Sequence, residues 1–276
     1  MSLVEEEGEV VGALPYFLKR KGPFRYIGMP HLTRYMGPLL LPRRRTPSDE
    51  RKLFGVLIAH LPAVHGFEQE FHPGVQNWLP FHWEGFAQST RYTYVLQDLS
   101  DPEELAKRLN RSHRRAIRKG DAHLRLEEDL PLERLRPLVE ASFRRKGLAV
   151  PFPWEVVERL HAALRPRGCH RIIAALDPQG QPLAGGFFLW NQQTCFYLFS
   201  GVLPEARQWS AGIWLLWQAI LIASRLGLER FDFLGSMLPG VEEKNRAFGA
   251  RQQPYFRIWK HSSRLLHWLR CLRGKP

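Results

Sequence analysis

The clearest hydrophobic patterning begins near residue 121. Apolar and polar residues alternate through "HLRLEED" (123–129), the period of two that marks a half-buried strand. "PLERLRPLVEASFRRKG" (131–147) and "PWEVVERLHAALRPRG" (153–168) space their apolar residues three and four apart and close on a glycine, so both predict helices. "HRIIAALD", "PLAGGFFLW" and "TCFYLFSGVL" follow, separated by the turn-forming "PQGQ" and "NQQ", and predict three antiparallel strands. "RQWSAGIWLLWQAI" then opens on small residues and becomes apolar on every side, the pattern of a helix buried all round. A strand in "ERFDFLGS", a short helix in "GVEEKNRAFGA" and a strand in "QQPYFRIWK" complete the order.

The first half repeats part of this order. "GEVVGALPYFLKRKGPFRYIGMPHLTRYMGP" aligns with "GQPLAGGFFLWNQQTCFYLFSGVLPEARQWSAG": Gly8 and Gly28 bracket a hairpin in one, Gly180 and Gly201 in the other. A helix in "SDERKLFGVLIAHLP" and strands in "GFEQEFH" and "RYTYVLQDL" come next. The expected organisation is a partial domain at 1–120, a complete domain at 121–260 and a basic amphipathic tail at 261–276. In that tail Leu265, Leu269 and Leu272 lie along one side, with arginines around the rest. Such a helix suits an anionic membrane surface, and equally a dock on the protein body.

Composition narrows the function classes. Apolar residues make up 44% of the 276, ample for a packed core. No run reaches the roughly 20 apolar residues that span a bilayer. "MSLVEEEGEV" lacks the basic-then-apolar order of a signal peptide, and Cys169, Cys195 and Cys271 are too few and too scattered for a disulfide framework or a zinc site. The expectation is a reduced, cytoplasmic protein, peripheral to the inner face of the membrane if the tail binds there. A net charge of +13 favours polyanions: nucleic acid, nucleotide or pyrophosphate groups, or the inner leaflet. A genome that favours arginine would produce the same excess.

One order of elements now stands out: strand, two helices, a three-stranded meander, a long helix, then strand, helix, strand. Together with "RSHRRAIRKG", "PLAGGFFLW", "YLFSGVLPEARQWSAGIWLL", "ASRLGLERFDFLGS" and "EEKNRAFGARQQPYF", it resembles the GNAT acyltransferase superfamily. At closer range it resembles the FemAB-like branch with tandem GNAT-like domains. The resemblance implies an α/β (α+β) fold with mixed, mostly antiparallel sheets flanked by helices. It also implies an N-acyltransferase, acetyl or aminoacyl, acting on an amine of a cell-envelope or polysaccharide precursor. The donor is then acetyl-CoA or another acyl-CoA, with aminoacyl-tRNA as the alternative and no metal. The contrasting expectation is a non-catalytic GNAT-like module that binds anionic membrane or nucleic acid.

The resemblance also places residues. The family's loop runs Gln or Arg, two residues, Gly, any residue, then Gly or Ala. Arg207, Ser210 and Gly212 fill those places, with serine for the first glycine and Ala211 between. Independently of any family, free N–H groups and the dipole make a small-residue helix start an anion seat. The donor rail falls on Tyr197 and on Ser200, Gly201 and Val202. Bridge-forming members carry a lysine shortly before a Phe-Gly pair; here Asn245 holds that place and Lys244 stands one residue early. Acyl transfer needs a base and an acid, for which Asp232 and Tyr255 are the candidates. Lys244 and Arg246 are candidates for donor phosphate or an acceptor carboxylate.

Two further clusters complete the reading. Arg111, Arg114, Arg115 and Arg118 fall on one face of a helix expected to begin near Asp101. Guanidinium groups so arranged suit phosphate, whether a lipid-linked pyrophosphate, a UDP-sugar peptide or a tRNA backbone, or else form a solvated basic face. No stable association with DNA is expected. Glu68, Glu70 and His72 alternate on one strand face, but no second motif completes a metal site, so a polar cleft lining is expected instead.

Overall fold

A computed structural model describes residues 1–235 and 237–261, so the tail from residue 262 lies outside the described residues. In chain order the elements are β1 (Ser2–Glu6), β2 (Glu9–Leu14), β3 (Phe17–Lys21), β4 (Phe24–Gly28), β5 (Leu39–Leu40), α1 (Pro47–Ala59), β6 (Gly66–Glu70), α2 (Leu79–Trp83) and β7 (Ala87–Gln97). Then come α3 (Pro102–Arg108), α4 (Arg111–Asp121), β8 (Arg125–Glu127), α5 (Leu132–Arg144), α6 (Trp154–Leu164), β9 (His170–Leu176), β10 (Pro182–Trp190) and β11 (Thr194–Val202). The chain closes with α7 (Ala211–Arg225), β12 (Arg230–Asp232), α8 (Pro239–Arg246) and β13 (Arg251–His261).

The described residues fold into two compact units, Met1–Tyr92 with residues 254–261, and Thr93–Gln253. β7 and β13 each contribute residues to both.

In the first unit β3, β4, β6 and β13 follow one another in the sheet, with β4 and β6 parallel and the other pairs antiparallel. β1, β2 and β5 make a separate small sheet. This departs from the hairpin expected between Gly8 and Gly28, because β2 pairs with β1 and β5, while β3 turns back on β4 at Gly22. Pro15, which has no N–H for a ladder, separates β2 from β3. Leu14, Ile27, Leu53, Leu57, Phe71 and Ile258 form the core of this unit.

The second unit carries the strand order β7-β12-β11-β10-β9-β8. The expected meander is present: β9, β10 and β11 are antiparallel neighbours. α7 covers one face, burying Trp214, Leu215, Leu216, Trp217 and Ile220. Each large apolar side chain so buried stabilises by roughly 1.5–3 kcal/mol.

α5 covers the opposite face at close range. A Cβ on Gly201 would lie 2.2 Å from the Leu138 carbonyl carbon, and one on Gly185 would lie 2.9 Å from Leu138 Cδ1. The two glycines are paired across β10 and β11, so together they let the helix backbone settle on the sheet. The helix expected from Asp101 is in fact two. Leu109 is extended (φ −61°, ψ 140°), and the Asn110 side chain accepts the His113 N–H to start α4 anew.

Candidate active site

β11 and β12 run parallel and pair only through Thr194–Arg230, Cys195–Phe231 and Phe196–Asp232. Beyond that point β12 ends, while β11 continues to Val202 with β10 as its partner. The backbone of Tyr197–Val202 therefore has no β12 ladder beside it. That leaves an open edge where an extended ligand can lie.

A bulge lies on this edge. Phe187 pairs with Phe199 and Phe188 with Tyr197, so Leu198 is an extra residue in β11. Without it, Tyr197 and Ser200 would point to opposite faces. With it they share a face, and their hydroxyls are hydrogen-bonded to each other. Lys244 Nζ of α8 sits 5.5 Å from the centre of the Tyr197 ring, and Phe188 stacks beneath that ring. Three residues singled out in sequence, Tyr197, Ser200 and Lys244, thus come together.

α7 starts beside the far end of β11. A Cβ on Gly212 would meet Val202 Cγ2 at 3.2 Å. Ser210 precedes the helix in the left-handed region (φ 55°), and its carbonyl accepts the N–H groups of Ile213 and Trp214. Its side chain makes no capping bond. The N–H groups of Ala211 and Gly212 come before those first helical bonds, so their free direction is out of the helix end. Trp214 Nε1 donates to Asp121 at 2.8 Å, and Gly120 lies flat under the Trp214 ring, which ties α4 to the first turn of α7.

Arg145, just past α5, donates to the Val202 carbonyl at 3.3 Å. It was not among the residues singled out in sequence. No local signal marks it, because the contact depends on how α5 crosses β11. Arg207 is exposed on the turn before α7.

Asp232 is buried beside the point where β11 and β12 part. Its Oδ1 accepts the Thr93 hydroxyl at 2.5 Å and the Leu234 N–H at 2.8 Å. Thr93 Oγ1 in turn accepts the Gly235 N–H at 2.8 Å. Leu234 and Gly235 both have positive φ, so this pair of side chains fastens a strained turn. A loop-fastening role and a proton-accepting role can be separated by experiment. Asp232→Asn is expected to lower turnover per folded molecule by about a hundredfold or more if the carboxylate takes a proton. Thr93→Val, which loosens the turn but keeps the carboxylate, then stays within about fivefold of wild type. Equal losses in both variants would assign Asp232 to the turn alone.

α8 is held from below. His113 Nε2 donates to the Lys244 carbonyl at 3.1 Å, and its ring meets Phe248 edge-on. Burial lowers the His113 pKa, which keeps the ring neutral. The Asn110 N–H donates to the Ala247 carbonyl. Tyr94, Glu242 and Gln252 form a hydrogen-bonded triad on the other side, with Arg246 paired to Glu242. Asn245 is buried and offers an uncharged amide.

The arginine stripe keeps its geometry although its helix starts later than expected. Arg111, Arg114, Arg115 and Arg118 are all exposed on α4, while His113, Ala116 and Ile117 face inward. The other candidates belong to the first unit. Tyr255 is buried there, accepts a hydrogen bond from Arg34 Nη2 at 2.5 Å, and has its pKa pushed up to about 12 chiefly by burial. Glu70 is paired with Arg34 and Arg91, and Glu68 with Arg257. Among the described residues, no three potential ligands cluster as a metal site.

A cavity of about 420 Å³ opens elsewhere, lined by Gln97, Asp98, Ser100, Ser224, Gly227 and Arg230. It sits at the C-terminal end of α7, where the dipole repels anions, so it is not the anion seat.

A meander, a parallel strand that parts from it, and a long helix starting beside the far end of the parted strand make a recognisable site architecture. Residues 104–253 match the Acetyltransferase (GNAT) domain family. The chain belongs to the GNAT family. Among solved structures, this GNAT chain is similar to FemX, with 14% identity, a TM-score of 0.71, and 97% of this chain and 89% of that one covered. L-PGS from Bacillus licheniformis is similar over 94% and 84% of the two chains (10% identity, TM-score 0.61). A tandem GNAT protein from the clavulanic acid biosynthesis pathway is similar over 93% and 80% (17% identity, TM-score 0.56). At these identities the likeness concerns the fold, which is GNAT-like, with mixed and mostly antiparallel sheets flanked by helices. No curated protein sequence matches this GNAT chain significantly. No described helix is long and apolar enough to cross a membrane.

Proposed function

We propose that this chain is an N-acyltransferase that uses acetyl-CoA or another acyl-CoA to acylate an amine on an anionic acceptor of the cell-envelope or polysaccharide class. The observation that carries the reading is the parting of β11 from β12 at Phe196 and Asp232, with the small-residue start of α7 beside Val202. The residues present fit a pyrophosphate there. Ala211 and Gly212 bring N–H groups without bulk, and Arg145 brings a cation to the same strand end.

Bound in this gap, acyl-CoA supplies an activated thioester carbonyl. The chain's own residues do the rest. N–H groups of the bulged segment at Leu198 are the donors available to polarise a carbonyl lying along β11. Asp232 is the carboxylate to which this reading assigns the amine proton. The hydrogen-bonded Tyr197 and Ser200 hydroxyls can return one to a departing sulfur. Lys244, over the Tyr197 ring, puts positive charge beside that pair.

An acyl-CoA donor is favoured over aminoacyl-tRNA because Asn245 is neutral where bridge-forming enzymes carry lysine. Isothermal titration tests this directly. Acetyl-CoA is expected to bind with a one-to-one heat, and a charged tRNA to give none. Silence from acetyl-CoA, coenzyme A and the charged tRNA together would leave the chain a non-catalytic module on this fold.

For the acceptor, the exposed stripe on α4 offers four guanidinium groups to phosphate. Lysylphosphatidylglycerol synthetase domains share the fold, and that lipid's name supports an acceptor at the membrane. Replacing Arg111, Arg114, Arg115 and Arg118 together by Gln is expected to raise the acceptor KM by about tenfold or more. The acetyl-CoA dissociation constant should stay unchanged. An unaltered KM would remove the stripe from acceptor binding.

A further inference from the structure

We propose that the β3–β4 hairpin of the first unit is a docking surface for an anionic lipid bilayer. The segment from Phe17 to Arg25 carries Lys19, Arg20, Lys21 and Arg25 and no carboxylate. None of these four enters an ion pair among the described residues. Their charge is therefore available to an outside partner.

The register shows how the hairpin presents itself. Lys21 faces Phe24, Lys19 faces Tyr26 and Phe17 faces Gly28, so three aromatic rings and two ammonium groups share one face. Leu18, Arg20, Arg25 and Ile27 share the other, where Ile27 is fully buried in the core. Among the described residues β3 is the edge strand, paired only with β4. Its two apolar residues point to opposite faces, yet both are open to solvent: Phe17 is 46% exposed and Leu18 41%.

Cations on a free edge would by themselves serve to prevent pairing with another chain's strand. Exposed Phe17 and Leu18 beside them run against that purpose. Stacking on nucleic-acid bases would engage the aromatic face and leave Leu18 unused. Edge-on contact with a bilayer uses everything. Apolar side chains from both faces enter the interface, and the cations meet lipid phosphates.

The test compares the full chain with two variants, the triple Lys19→Gln, Arg20→Gln, Lys21→Gln and the single Leu18→Gln. Each is sedimented with vesicles of phosphatidylcholine, with and without phosphatidylglycerol. Wild type is expected to bind only the vesicles that contain phosphatidylglycerol. Each cation near such a surface adds about fivefold to partition, so the triple variant should lose at least about tenfold. Leu18→Gln should lose severalfold without any change in charge. Melting temperature and acetyl-CoA binding in solution should be unaltered in both, which keeps this result independent of the acyltransferase assignment. Undiminished vesicle binding by both variants would overturn the proposal. So would wild type that binds a single-stranded oligonucleotide and ignores the vesicles.

Discussion

Gly212→Asp is expected to weaken coenzyme A binding by about tenfold or more while leaving the fold as stable as before. The two halves of that expectation have opposite causes. A carboxylate in the first turn of a helix interacts favourably with the dipole, by about 0.3–1 kcal/mol. The new side chain has to ease past Val202 Cγ2, since its Cβ would start 3.2 Å away, and a shift of a few tenths of an ångström relieves that contact. Stability should therefore shift by less than about 1 kcal/mol in either direction. A pyrophosphate seated on the same N–H groups would instead meet a negative charge and lose the donors that the new carboxylate caps. Titration calorimetry reads the affinity, and urea unfolding reads the stability. Gly212→Ala separates charge from bulk, because it adds a methyl group and no carboxylate and should cost less than about threefold in affinity. If Gly212→Asp bound coenzyme A as wild type does, α7 would not be the anion seat.

Much of this site was legible in the chain, and the reasons are local. β9, β10, β11 and α7 announce themselves through periods of two and of every side, with glycine and polar turns between them. The small residues from Ser210 to Gly212 mark a helix start that a ligand can approach. What stayed hidden depends on contacts between residues distant in sequence. The bulge at Leu198 has no glycine to betray it, yet it decides that Tyr197 and Ser200 share a face. Arg145 reaches Val202 only because α5 crosses the sheet there. The break at Leu109 was signalled by Asn110, a good N-cap, but the apolar spacing on either side hid it. β2 and β3 follow one another in the chain and join different sheets, which the pattern of neither strand can foretell.

Asp232 shows a different limit. Its position between two phenylalanines suits both a proton acceptor and a turn fastener, and the folded geometry supplies partners for the second. The proposed function therefore rests on the parted strands, a property of backbone pairing, more firmly than on any single polar side chain.

Gly201 sharpens the point, because sequence assigned it to the donor rail and structure gives it a packing duty as well. Gly201→Ala is expected to destabilise the second unit by about 3 kcal/mol, at the upper end for overpacking. The added methyl group would lie 2.2 Å from the Leu138 carbonyl carbon and 2.2 Å from the Val139 nitrogen. Both are helix backbone atoms, with no rotamer through which to yield. Either α5 lifts from β11, which uncovers Leu135, Leu138 and Val139, or the strand bends at its open edge. Both routes also move Arg145 and the Val202 carbonyl, so acetyl-CoA affinity should fall together with stability. Gly186→Ala, one residue from the paired Gly185, gives the contrast. Its methyl group would first meet the Phe188 ring at 2.7 Å, a side chain that can rotate away, and should cost roughly half as much. Urea midpoints for the two variants decide the matter. Equal losses would mean that α5 does not rest on Gly201 as closely as described.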